Sequence, residues 1–140
     1  MEIIKWVDTY SVGVEEIDNQ HKKLIGILNE LYTAMSVGKG RDMLDKILSE
    51  LTEYTVNHFY TEEKKMIVHA YPGYRQHKDE HNNFVGKIND FKNQYAKGNT
   101  RITIELVNFL KDWLVNHITT IDKQLGDYLL EKEAQTAYKN

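Results

Sequence analysis

The sequence predicts an all-α fold: an antiparallel up-down-up-down four-helix bundle with an N-terminal arm, in a single domain over residues 1–140. Two observations lead to this prediction. Apolar residues recur at alternating intervals of three and four positions through four long segments, which is the spacing of one buried helix face. The connections between these segments are a few residues long, and short connections favour antiparallel neighbours. A chain of 140 residues is long enough for one domain with its own core.

The arm is expected over about residues 1–16, where apolar and aromatic side chains are present without helical periodicity. The first helix is expected over about 17–37. Its inward stripe ends near Gly38 and Gly40, and glycine commonly terminates helices. The stripe consists of Ile17, His21, Leu24, Leu28, Leu31 and Met35.

Three further helices are expected over about 41–69, 73–96 and 101–131. The second helix must stop before Pro72, the only proline of the chain, because proline cannot continue a helix and restricts the residue before it. The third helix is expected to end around Gly98. We expect the residues beyond Glu131 to be frayed.

Histidine is concentrated on the inward faces of the four helices. Five of the six histidines fall where a bundle would otherwise place leucine, and two acids lie close to them in the sequence. Burying that many polar groups without partners would cost several kcal/mol. Metal coordination is the simplest interaction that offsets this cost. The sequence therefore predicts a metal site built from His21, His58, Glu62, His77, His81, His117 and Asp122.

The predicted topology brings these side chains to one end of the bundle. His58 and Glu62 are four residues apart, as are His77 and His81, so each pair lies on one helix face. In an up-down-up-down bundle, the start of the first helix, the end of the second, the start of the third and the end of the fourth lie together. We therefore expect the seven side chains to converge at one level.

The fourth helix leaves one question open. His117 and Asp122 are five residues apart, which is about 140° around an ideal helix. Either the two side chains approach the metals from opposite sides of the inward face, or a one-residue π-bulge between Ile118 and Ile121 turns Asp122 inward. The spacing alone favours neither alternative.

The donor set points to a pair of iron ions. The chain has no cysteine, which excludes thiolate sites and leaves nitrogen and oxygen ligands. Seven side chains are too many for one ion, and two carboxylates are the number commonly used to bridge a metal pair. Suppose that both carboxylates bridge the two ions and that the ions also share one solvent oxygen. Two six-coordinate ions would then have one coordination position unfilled, and a small molecule would bind there. The imidazole-rich set suits iron better than copper or zinc.

Charge and hydropathy exclude several other classes. The formal net charge of −3 provides no broad cationic field, so neither nucleic acid nor an anionic membrane is expected as a partner. No segment reaches the roughly 20 apolar residues of a membrane span, and no signal-peptide-like run begins the chain. We expect a soluble, cytoplasmic monomer without membrane insertion. Because no general acid, general base or substrate cleft is evident, we do not expect an enzyme.

Several motifs resemble the haemerythrins, most closely the single-domain bacterial haemerythrins, and the resemblance covers nearly the whole chain. It is carried by residues 12–21 (VGVEEIDNQH), 58–63 (HFYTEE), 71–73 (YPG) and 113–118 (WLVNHI), and by Trp6, His77, His81 and Asp122. Together these motifs are highly specific. They imply a hemerythrin-like domain with a non-haem di-iron site.

The resemblance also implies a role for each residue of the site. His77, His81 and His117 would hold one iron, His21 and His58 the other, and Glu62 and Asp122 would bridge them with an oxo or hydroxo group. The implied function is reversible O2 binding for oxygen transport or storage, with O2 held as hydroperoxide on the five-coordinate iron. The recipient would be an O2-consuming enzyme. Glu63 is expected behind the ligands or at the surface, and His69 is expected to be solvated.

The bound gas requires a dry, apolar pocket, because water or protons that reach it would release peroxide and leave ferric iron. Five residues, each within one turn of a ligand, are expected to line this pocket: Leu24, Phe59, Trp113, Leu114 and Ile118. Two other functions stay open. One is a di-iron redox enzyme that reduces peroxide or nitric oxide, and the other is an oxygen or redox sensor, which would need a separate output partner.

Overall fold

A computed structural model describes residues 3–98 and 102–139, with the backbone alone for residues 136–139. Every regular element in these ranges is helical. Helix α1 covers Glu15–Ser36, α2 covers Gly40–Val68 and α3 covers Tyr74–Ala96. The fourth rod of the bundle is continuous and contains α4 (Ile102–Asn116), a π-helical segment (His117–Asp122) and α5 (Lys123–Lys139). No helix in these ranges combines the length and the apolar composition that a membrane crossing requires.

The four rods pack as a closed antiparallel bundle. Helix α1 contacts α2, α2 contacts α3, α3 contacts α4, and α4 returns to α1. Because short turns join consecutive rods, each rod runs opposite to its neighbour. The predicted all-α, up-down-up-down four-helix bundle is confirmed.

Two glycines end helices at the positions that the sequence predicts. Gly38 follows α1 with a φ of 75°, and Gly98 follows α3 with a φ of 83°. Glycine adopts this left-handed backbone at little cost, because it has no Cβ. Helix α2 ends at Val68, ahead of Pro72 as expected.

The N-terminal arm lies against α1 and contains one 3₁₀ turn, Asp8–Tyr10. Asn29 of α1 holds the start of the arm. Its Oδ1 accepts hydrogen bonds from the backbone N–H groups of Ile3 and Ile4 at 3.0 and 3.1 Å. Its Nδ2 donates to the Ile4 carbonyl at 2.8 Å. One side chain therefore fastens two residues of the arm.

Asp18 fastens the other end of the arm to the start of α1. Its carboxylate accepts hydrogen bonds from the Ser11 hydroxyl and the Val12 N–H. The helix begins at Glu15, two residues earlier than expected, and its first turn carries three acids. Negative side chains are favoured there because the helix dipole places partial positive charge at the N-terminus.

The fourth rod extends further than predicted. We expected its helix to end near residue 131 with frayed residues beyond, whereas α5 continues to Lys139. The apolar stripe stops at Leu129, so periodicity carries no information about the last turns. Residues 131–135 (EKEAQ) are strong helix formers, and their propensity extends the helix without burial.

Buried apolar residues form two clusters, and the predicted metal ligands lie between them. The smaller cluster consists of Val12, Ile17, Met66, Leu125 and Leu129. The larger cluster fills the rest of the bundle and includes Leu24 and Leu114. On α1, for example, His21 stands between Ile17 of the smaller cluster and Leu24 of the larger one. The bundle therefore encloses a polar layer between two apolar ones.

Candidate metal centre

All seven residues predicted to bind metal lie at one level of the bundle. His21 comes from α1, His58 and Glu62 from α2, His77 and His81 from α3, and His117 and Asp122 from the π-helical segment. None of them is more than 3% exposed. The sixth histidine, His69, is exposed at the end of α2, as expected. All four rods therefore contribute polar side chains to one water-excluded space.

The Glu62 carboxylate faces three of the imidazoles. Its Oε1 lies 2.8 Å from His58 Nε2 and 3.5 Å from His81 Nε2. Its Oε2 lies 3.5 Å from His77 Nε2. One carboxylate therefore reaches rings from two helices, α2 and α3.

The Asp122 carboxylate reaches the same centre from the fourth rod. Its Oδ2 lies 2.7 Å from His21 Nε2. Its Oδ1 lies 2.9 Å from His77 Nε2 and 3.0 Å from His117 Nε2. Every imidazole of the cluster thus directs its Nε2 atom towards a carboxylate, and both carboxylates contact His77.

The donor atoms divide into two groups that share the two carboxylates. The groups are His77, His81, His117, Glu62 and Asp122, and His21, His58, Glu62 and Asp122. Within each group the donor atoms lie within 4.8 Å of one another. Two metal ions bridged by both acids fit this arrangement.

Most of these donor atoms are buried without a hydrogen-bond partner among the residues that the structure describes. This holds for all four oxygens of Glu62 and Asp122 and for four of the five Nε2 atoms. Short nitrogen–oxygen contacts are present, but these atoms make no contact with hydrogen-bond geometry. Each buried unsatisfied group costs roughly 1–3 kcal/mol. Cations bound between the rings and the acids would satisfy all of these atoms at once, so the residues fit a metal pair.

A π-helical turn brings Asp122 into the cluster. In a regular α-helix, His117 and Asp122 would point about 140° apart. The backbone over His117–Asp122 is π-helical, and its wider turn places both side chains at the same centre. Of the two alternatives that the spacing leaves open, the structure selects the π-helix.

Burial and the neighbouring histidines shift the pKa values of the two acids in opposite directions. Burial and the neighbouring Asp122 charge oppose ionisation of Glu62, yet the rings of His58 and His77 hold the pKa of Glu62 below its ordinary value. Burial likewise opposes ionisation of Asp122, and the neighbouring rings, His117 first, lower its pKa. Burial lowers the pKa of His77, but contacts with both acids outweigh it and raise that pKa to about 9. Both carboxylates are therefore ionised at neutral pH.

The chain matches a known protein family over most of its length. The family model of the hemerythrin HHE cation binding domain matches residues 12–129. The chain belongs to the haemerythrin family. The resemblance inferred from the sequence motifs is confirmed.

Similar proteins cover nearly the whole of this haemerythrin. The bacteriohemerythrin of Methylococcus capsulatus is 32% identical over 130 residues, which are 92% of this chain and 98% of that protein. One of the hemerythrin subunits of Sipunculus nudus is 36% identical over 117 residues, which are 84% of this chain and 86% of that protein. A crystal structure of wild-type hemerythrin has a TM-score of 0.82 at 32% identity, covering 91% of this chain and 98% of that one.

Apolar and aromatic side chains cover the haemerythrin site on the side of the larger cluster. Of the residues predicted to line an O2 pocket, four are buried and Trp113 is half-buried; the buried ones are Leu24, Phe59, Leu114 and Ile118. The Phe59 ring stacks on the His81 imidazole with centroids 3.8 Å apart. The Trp113 ring stacks on the His117 imidazole at 4.2 Å. Two imidazole faces are therefore shielded by carbon.

Two further residues contact the imidazoles from behind. Gln20 Oε1 lies 2.6 Å from His58 Nδ1, and Glu63 Oε2 lies 3.0 Å from His81 Nδ1. Of the two positions expected for Glu63, the structure shows the one behind a ligand, and no role was predicted for Gln20. Each of these residues adjoins a ligand in the sequence, but each contacts a ring on a neighbouring helix, which sequence spacing does not reveal.

Proposed function

We propose that the protein binds O2 reversibly at a non-haem di-iron site and serves in oxygen transport or storage. The observation that carries this proposal is the pair of buried donor groups that share Glu62 and Asp122. Membership of the haemerythrin family and relatives named bacteriohemerythrin and hemerythrin support it. A carrier needs an enclosed metal pair, because O2 must bind and leave without contact with bulk water.

In this proposal, the two donor groups hold one iron each. His77, His81 and His117 would hold one iron, His21 and His58 would hold the other, and Glu62 and Asp122 would be shared by both. The unequal number of imidazoles supports an open position on the iron with two rings. Nitrogen and oxygen donors without thiolate suit iron. When bound, a ferrous pair supplies the two electrons on which reversible O2 binding draws.

The side chains around the donors favour a carrier over an enzyme. Leu24, Leu114 and Ile118 are no more than 3% exposed, and Phe59 covers one face of His81. The side of the predicted O2 pocket that these residues form therefore consists of carbon atoms and not of titratable groups. A general acid beside bound O2 would promote its further reduction, so an apolar wall supports release of O2 unchanged.

We further propose that this carrier acts as a cytoplasmic monomer and delivers O2 to an O2-consuming enzyme. Large exposed apolar residues are spread over the arm, the turn after α1 and the helices, for example Val7, Val37 and Ile104. Exposed apolar residues of this kind are normal on monomeric proteins. Analytical ultracentrifugation of the iron-loaded protein tests the oligomeric state, and a dimer mass at micromolar concentration would contradict a monomer.

The function is tested by an optical titration of the reduced, iron-loaded protein, first without oxygen and then with it, with iron counted per chain. We expect two irons per chain and an absorption band that appears with O2 and vanishes on degassing. Irreversible conversion to a ferric spectrum, or consumption of more than one O2 per site, would instead support a redox enzyme or a sensor.

Two histidine variants provide a matched control. We expect His77→Ala to lose most of its iron and its response to O2, because His77 contacts both carboxylates. His69→Ala removes an exposed histidine outside the site and should keep both properties. Equal iron content in the two variants would overturn the ligand assignment.

A further inference from the structure

The imidazoles of the site differ in what they contact through Nδ1. His58 and His81 each have a hydrogen-bonding partner there. The Nδ1 atoms of His21, His77 and His117 are buried without one in the described part of the chain. Because Nε2 faces the carboxylates in every ring, Nδ1 is the atom through which the protein can orient or polarise an imidazole. The two partnered rings belong to different donor groups.

The partner of His81 is a charged carboxylate. Glu63 Oε2 lies 3.0 Å from His81 Nδ1, and Glu63 Oε1 accepts a hydrogen bond from Lys78 Nζ at 2.5 Å. The Glu63 side chain is only 18% exposed. Since the Glu63 carboxylate, paired with the Lys78 ammonium, only accepts hydrogen bonds, His81 Nδ1 is the donor and its Nε2 keeps a free lone pair.

The partner of His58 is a neutral amide. Gln20 Oε1 lies 2.6 Å from His58 Nδ1, and Gln20 Nε2 donates to Thr61 Oγ1 at 3.1 Å. The Thr61 hydroxyl donates in turn to the Asn57 carbonyl at 3.0 Å, so its oxygen can accept only. This chain of hydrogen bonds sets the direction of the amide. The amide oxygen therefore faces His58, and His58 Nδ1 is also a donor.

We infer that Glu63 and Gln20 are positioning residues that hold His81 and His58 with Nε2 towards the metals, and that the charge of Glu63 makes His81 the stronger electron donor. The inference rests on the proposed metal pair. A hydrogen bond to a carboxylate raises the basicity of an imidazole more than one to an amide does. The three-histidine group is thereby biased towards ferric iron relative to the two-histidine group.

Two variants separate charge from hydrogen bonding. Glu63→Gln keeps an acceptor at His81 but removes the charge, and the double variant Gln20→Glu/Glu63→Gln moves the charge to His58. The measurements are the rate of iron transfer to a chelator, the midpoint potential of the iron pair and the shifted Nδ1–H proton resonances of the ferrous protein. For Glu63→Gln we expect iron release to be roughly tenfold faster, the potential to rise and the His81 resonance to move. In the double variant, the potential should return towards that of the unaltered protein and the His58 resonance should move as well.

The matched control is Glu30→Gln. Glu30 also pairs with a lysine of the neighbouring helix, Lys46 at 3.1 Å, but lies more than two helical turns beyond His21. We expect this variant to match the unaltered protein in all three measurements. The inference is overturned if Glu63→Gln changes none of them, or if Glu30→Gln shifts the potential equally. A protein that holds two irons without binding O2 reversibly would refute the proposed function, and the comparison of variants would still test this inference.

Discussion

Asp122 Oδ1 lies 3.0 Å from His117 Nε2, although the two residues are five positions apart, because the backbone between them is π-helical. A π-helical turn contains about one residue more than an α-helical turn. The extra residue lies at the level of the metal centre, where the fourth rod contributes both the His117 ring and the Asp122 carboxylate. Leu125 and Leu129 follow on the inward side, in the smaller apolar cluster. π-helical turns are rare in proteins overall, and those that occur are often at functional sites.

Deletion of Thr120 should convert the π turn to α-helix without loss of the fold. Thr120 is exposed, and without it His117 and Asp122 would be four positions apart on one helix face. The residues that follow would keep their inward side. We expect the variant to retain two irons per chain and a cooperative urea transition, measured by iron analysis and circular dichroism.

Insertion of one alanine after Thr120 is the control for that deletion. The insertion would rotate Asp122, Leu125 and Leu129 by about 100° away from the interior. We expect loss of iron and a fall of about 2–5 kcal/mol or more in the free energy of unfolding, the cost of removing a large buried side chain. Equal stability of the inserted and deleted proteins would show that the π turn does not set the direction of Asp122.

Replacement of Leu114 by alanine should speed loss of the oxygenated state. Leu114 is 3% exposed and lines the predicted O2 pocket, so its truncation admits water towards the iron pair. The matched control is Leu110→Ala, one turn earlier on α4 and also buried. Both variants should lose about 2–5 kcal/mol of stability. Only Leu114→Ala should raise the autoxidation rate, and an unchanged rate would remove Leu114 from the barrier to water.

Asn29→Ala should release the start of the arm. The variant loses the three hydrogen bonds that Asn29 makes with Ile3 and Ile4. Ile4 and Tyr10 of the arm line a cleft with Leu114 and Ile118, so a loosened arm exposes this side of the pocket. We expect faster chymotrypsin cleavage in the arm and faster autoxidation.

Asn83→Ala, at an exposed position of α3, is the comparison for that change and should behave like the unaltered protein. If Asn29→Ala is cleaved and autoxidised no faster than Asn83→Ala, the arm does not protect the pocket.

Gly126→Ala and Gly86→Ala should change stability in opposite directions. A Cβ at Gly126 would collide with the backbone carbonyl of Val12, which is fully buried in the smaller cluster. A Cβ at Gly86 meets open space on α3. We expect Gly126→Ala to lower the free energy of unfolding by about 1–3 kcal/mol. Gly86→Ala should raise it by up to about 1 kcal/mol, because alanine favours helix over glycine. Urea denaturation measures the free energy of unfolding of both variants. If the value for Gly126→Ala equals that of the unaltered protein, the backbone at Val12 shifts to admit the added Cβ without loss of stability.

Apolar periodicity and the placement of histidine were sufficient to predict the bundle and to bring seven polar residues to one level. Inward positions of a bundle helix are buried and are usually occupied by apolar residues such as leucine. A histidine at such a position, for example His21 or His117, therefore indicates a functional site. The predicted end of the last helix was too early, because apolar periodicity marks a helix only where its side chains are buried. None of the side chains described over residues 130–135 is buried, and the helical propensity of these residues extends the helix past the apolar stripe.

The sequence by itself determined which faces of the helices are inward, because the three- and four-residue intervals are a local property of the chain. Only the tertiary structure decided between the two courses of the backbone from His117 to Asp122, and only it paired Gln20 with His58 and Glu63 with His81. These pairings join residues of neighbouring helices. They depend on the rotation and axial shift of one rod against the next, which side-chain packing sets and apolar spacing does not specify.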